Sequence, residues 1–91
     1  MKTEGVYDLS RDVLLTLPTP YKPDIIEDVF VAIEADPTWT SRYQRLVSTL
    51  GRDVTNNWIG RYVKKITGMN SGRQVPATRS ELIGSYTKLE P

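Results

Sequence analysis

The chain has 91 residues, with twelve Lys and Arg against eleven Asp and Glu, and neither His nor Cys. Without Cys there is no disulfide and no thiolate metal site, and without His or Cys the Ser–His and Cys–His nucleophile systems are excluded. The near-zero net charge hides a split: residues 1–37 carry three basic and eight acidic side chains, and residues 38–91 carry nine basic and three acidic ones.

In chain order, Leu9, Val13, Leu14 and Leu17 come first, at helical spacing, with Asp8 or Ser10 as a cap. A short helix ending before Pro18 is favoured, although Val13–Leu17 also fits a strand and a swapped arm stays open. Pro18, Pro20 and Pro23 make residues 17–23 a loop, because each fixes its own φ and extends the residue before it. Asp24 with Glu27 opens a helix in the manner of a capping box. Ile26, Val29, Phe30 and Ile33 form its apolar stripe, opposite Glu27, Asp28 and Glu34.

Asp36 and Pro37 end that helix and start the next. Its stripe is Trp39, Tyr43, Leu46, Val47 and Leu50, its stop is Gly51, and Arg42 and Arg45 fall outside the stripe. After the connection Gly51-Arg52-Asp53, a further helix capped by Asp53 places Val54, Trp58, Ile59, Tyr62, Val63 and Ile66 on one side and ends at Gly68. Residues 68–77 read as a loop. Thr78 with Glu81 suggests a second capping box. Leu82, Ile83, Tyr86 and Leu89 then predict a last helix over 78–89, weakened by Gly84.

The expected fold is all-α, a single domain of four to five short helices. A three-helix core over 24–67 gathers Phe30, Trp39, Leu46, Trp58, Tyr62 and Ile66. Trp39 and Trp58 read as core rather than as exposed platforms for bases. The N-terminus lacks the apolar core of a signal peptide, and no apolar run reaches membrane-span length. A cytoplasmic protein that is not an enzyme and takes no cofactor or metal is expected. The acidic residues 24–36 do not match a calcium loop.

The pair of helices at 37–50 and 54–67 resembles a helix-turn-helix unit, in which the second helix enters the major groove of DNA. The usual motif places that helix closer behind the glycine, so the turn is expected to be long. Helical projection sets Asn56, Asn57, Gly60, Arg61, Lys64 and Lys65 opposite the apolar stripe. Asn pairs with adenine and Arg with guanine, so Asn56, Asn57 and Arg61 are candidate base readers. Arg42, Arg45, Arg52, Lys64 and Lys65 are candidate phosphate contacts. Arg73 sits in a loop able to reach a minor groove. Arg79, in the first turn expected of the last helix, is unfavourable to the dipole and suggests an external anion or an internal carboxylate partner.

Across residues 42–79, eight basic residues face Asp53 alone. A small double-stranded-DNA-binding regulator of transcription or replication, acting as a homodimer, is therefore the expected function. The alternative is a protein-interaction module whose basic face docks an acidic protein partner. Local causes account for the basic residues without any ligand: Lys and Arg near a helix C-terminus stabilise its dipole, and Asn56 and Asn57 fit an ordinary first turn.

Overall fold

The structure, a computed structural model, describes residues 2–22, 24–68, 74–78 and 85–89. Four helices come first: α1 (Glu4–Leu14), α2 (Ile25–Ala35), α3 (Pro37–Leu50) and α4 (Arg52–Thr67). Two strands, β1 (Gln74–Thr78) and β2 (Ser85–Leu89), follow as an antiparallel ribbon.

The N-terminal segment is a helix, and it ends before Pro18 as expected. It starts earlier than Asp8, with Thr3 at the N-cap. Val6, Leu9, Val13 and Leu14 recur on one side of α1 and are all buried. The α2 helix is the most apolar of the four, burying Ile25, Ile26, Val29, Phe30 and Ile33. Removing each such side chain from water stabilises the fold by about 1.5–3 kcal/mol. Asp24 stands at the N-cap of α2, but its side chain makes no capping hydrogen bond, so the capping box does not form.

The α2–α3 corner follows the sequence reading closely. Asp36 adopts extended backbone, and its Oδ1 accepts a 2.8 Å hydrogen bond from the Thr38 N–H. Pro37 takes the first helical position, where its missing N–H is not needed. Thr40 Oγ1 then donates to the Ile33 carbonyl at 2.6 Å, satisfying an orphan acceptor at the end of α2.

The core is centred differently from the expected one. Of the six residues named for it, Phe30 is fully buried, whereas Trp39, Leu46, Trp58, Tyr62 and Ile66 pack only partly buried around it. The inner core instead joins the apolar faces of α1 and α2 to Tyr43, Ile59 and Val63. Small residues explain the shift. The buried face of α4 includes Thr55, Asn56 and Gly60, which admit close neighbours. A Cβ at Gly60 would lie 3.9 Å from Ile26 Cδ1. The bulky Trp58 and Tyr62 are left at the margin, packed on each other, with Tyr62 against Tyr7 of α1.

Gly51 alone joins α3 to α4, so the connection is shorter than expected, and α4 begins at Arg52 rather than after Asp53. Gly51 has φ 90° and ψ 155°, a conformation that is almost exclusive to glycine. Gly51→Ala is expected to destabilise the domain by about 1–3 kcal/mol, read as a lower urea midpoint with an unchanged slope. Gly68 ends α4 in the left-handed conformation, as expected.

The predicted C-terminal helix over 78–89 is corrected at its described residues, 78 and 85–89, while 79–84 lie outside the described residues. Thr78 ends β1 and residues 85–89 form β2, with Gln74 opposite Leu89 and Thr78 opposite Ser85. Four of the residues read as loop, 74–77, belong to β1. Val75, Thr78, Tyr86 and Thr87 favour strands, and Gly84 weakens a helix. Pro76 is tolerated because each strand of a two-stranded ribbon is an edge. The strand β2 lies against α4 and α2.

Candidate nucleic-acid interface

The exposed side of α4 follows from its buried side. Thr55, Asn56, Ile59, Gly60 and Val63 face the core. Asp53, Asn57, Arg61 and Lys65 are exposed on the opposite side, with Lys64 half-buried beside them. Asp53 stands in the first turn and Lys64 and Lys65 in the last, each favourable to the helix dipole.

Asn56 is corrected: it is not a base reader. It is only 4% exposed, and its Oδ1 accepts a 2.7 Å hydrogen bond from the Tyr43 hydroxyl. Burial pushes the Tyr43 pKa up to about 12, so this hydroxyl stays protonated and donating. Gly60 likewise faces the core instead of the exposed side. The bulky stripe Trp58–Tyr62–Ile66 drew the projection away from the small residues that make the real contact.

Arg42 has an internal partner. Its Nη1 donates to Asp12 Oδ2 at 2.9 Å, tying α3 to α1, and its guanidinium lies 5.4 Å from the Trp39 ring centroid. Arg11 donates to the other oxygen of the same carboxylate at 3.1 Å. The Arg42 and Arg11 hydrogen bonds, in that order, hold the Asp12 carboxyl below its ordinary pKa. The ionised form is thus favoured by folding. Its stabilisation is present above the unfolded-state pKa and is lost as pH falls through the lowered folded-state value. Asp12→Asn is expected to flatten the decline of melting temperature between about pH 5 and pH 2.

The other candidates divide by position. Arg45 is exposed on α3, and Arg61 is exposed on α4 with its guanidinium 4.8 Å from the Trp58 ring centroid. Among the described residues, no carboxylate lies within ion-pair distance of Arg45, Arg61, Lys64 or Lys65. Arg52, the first residue of α4, is exposed but falls off the Asn57–Arg61–Lys65 row. Arg73 and Arg79 lie outside the described residues.

A separate concavity of about 400 Å³ is lined by Leu17, Pro18, Thr19, Pro20, Tyr21, Lys22, Ile25 and Asp28, with none of α3 or α4. Burial, then the neighbouring Asp24 and Glu27 carboxylates, raise the Asp28 pKa. Among the described residues, no helix is long and apolar enough to cross a membrane. Comparison with protein-family models, curated proteins and solved structures returns no match.

Proposed function

We propose that this is a small DNA-binding protein, a regulator of transcription or replication that presents α4 to the major groove of a duplex. The observation that carries the reading is the outer face of α4, where exposed Asn57, Arg61 and Lys65 and half-buried Lys64 follow Asp53 of the first turn, and whose three cations have no carboxylate partner among the described residues. A solvated surface ordinarily mixes the two signs more evenly than three cations to one carboxylate.

Asn57 and Arg61 are the base readers in this proposal, because both are exposed and carry side chains that pair bidentately with bases. Lys64 and Lys65 hold phosphates one turn further on, with Arg45 and Arg52 as outlying phosphate contacts. The Gly51 corner is tighter than the turn of about three to four residues usual in helix-turn-helix units. The similarity therefore lies in the order of the two helices and in the basic exposed face of the second. The ribbon β1–β2 packs against α4 through β2.

Two single substitutions test the division of roles. Lys64→Ala is expected to weaken all duplexes alike and reduce the salt slope by about one. Asn57→Ala is expected to relax discrimination between sequences by about 1–3 kcal/mol at the position it reads. Equal effects of the two on a panel of duplex sequences would remove the assigned roles.

A further inference from the structure

Beside the α4 face runs a strip of aromatic rings and guanidinium groups across α4, α1 and α3. Arg61 lies 4.8 Å from the centroid of Trp58. Trp58 packs 5.3 Å from Tyr62 with planes 34° apart. Tyr62 meets Tyr7 of α1 edge to face at 5.3 Å, and Arg11 lies 5.8 Å from the Tyr7 centroid. Arg11 and Arg42 then share Asp12, and Arg42 lies over Trp39. None of these side chains is fully buried. Arg11 and Arg61 are exposed, and Tyr7, Asp12, Trp39, Arg42, Trp58 and Tyr62 are half-buried.

We propose that this strip binds single-stranded DNA, with unstacked bases against the rings and guanidinium planes and phosphates held by the arginines. Alternating π faces and cations are the chemistry by which proteins hold unpaired strands. The strip carries three arginines against two carboxylates, Asp12 and Asp8, the latter 3.5 Å from Arg11, a net positive balance that favours a polyanion. A duplex hides the faces of its bases. An acidic protein would satisfy the arginines and leave the rings without a counterpart. A single strand offers both groups at once.

The choice of DNA over RNA rests on the duplex reading above: the strip meets the α4 face at Arg61, so a strand leaving a duplex there would run onto it. The strip itself uses Tyr7, Arg11, Trp39, Trp58 and Tyr62, none of which that reading needs.

The two Trp residues of the chain both lie in the strip, so their emission reports its occupancy directly. The full chain is titrated at fixed salt with oligothymidylate, oligouridylate, a duplex of equal length, and heparin, a polyanion without bases. Oligothymidylate is expected to quench the emission strongly, and heparin and duplex weakly. Trp58→Leu is expected to lower single-strand affinity roughly 5- to 150-fold. Arg11→Ala, on an exposed side chain that leaves the core intact, is expected to lower it roughly two- to fivefold without changing duplex affinity.

Lys65→Ala, outside the strip, is expected to weaken duplex binding alone, so the two readings can fail separately. Equal quenching by heparin, or unchanged single-strand affinity in a folded Arg11→Ala protein, would overturn the proposal. Tighter binding of oligouridylate would overturn the assignment to DNA.

Discussion

Tyr43→Ala is expected to destabilise the domain by about 3–5 kcal/mol, the usual effect of deleting a large buried aromatic side chain. A small domain is stable by about 5–15 kcal/mol in all, so the loss is a large fraction of the total. Tyr43 is the only fully buried residue of α3 and sits with Phe30, Ile59 and Val63 in one cluster. Its hydroxyl also donates to Asn56 Oδ1 inside the core. Tyr43→Phe keeps the ring but removes this hydrogen bond to Asn56 Oδ1, and is expected to lose about 1–3 kcal/mol. Replacing both partners with apolar residues should be less harmful than the two single losses combined, because neither member of this bond is then left without the other. Urea denaturation of the four-member cycle measures this. Additive losses would show that the hydrogen bond does not couple α3 to α4.

The second large effect concerns binding. Replacing Arg61, Lys64 and Lys65 together with Ala is expected to abolish tight duplex binding while leaving the fold intact. All three side chains project from the outer side of α4, and none belongs to the buried core. Each lost phosphate contact lowers the slope of log affinity against log salt by about 0.9. Removing two or three should therefore lower it by roughly 2–3. The control is Asn56→Ala, one position from Asn57 but facing inward. It should reduce stability and leave the salt slope unchanged.

The contrast between Asn56 and Asn57 shows what the sequence made legible. Local stereochemistry was readable: Asp36 and Pro37 mark one helix start, and Gly51 and Gly68 mark two ends, because these residues act on their own backbone. The rotation of α4 was not readable from the same signals. Trp58 and Tyr62 dominate an apolar projection, yet Thr55, Asn56 and Gly60 permit the close approach that decides which side is buried. The Asp12–Arg42 tie was equally hidden, because it joins residues far apart in the chain. The C-terminal error has the same origin. Leu82, Ile83, Tyr86 and Leu89 have helical spacing, but strand pairing with residues 74–78 depends on a non-local partner that no periodicity displays.

The exposed basic candidates fared differently from the half-buried Arg42. Charge requires solvent or a partner, so Arg45, Arg61 and Lys65 fell on the surface as the sequence implied. Arg42 found its partner in the acidic N-terminal half, which gives part of the charge split an internal purpose.

The most direct measurement is a salt titration of the unmodified chain binding to mixed-sequence duplex DNA, starting at low ionic strength. Saturable binding is expected, with log affinity falling linearly against log salt and a slope reduced in the Arg61, Lys64 and Lys65 triple variant. No detectable binding at low salt, or a slope unchanged by removal of those three cations, would contradict the assignment of α4 as a DNA-binding surface.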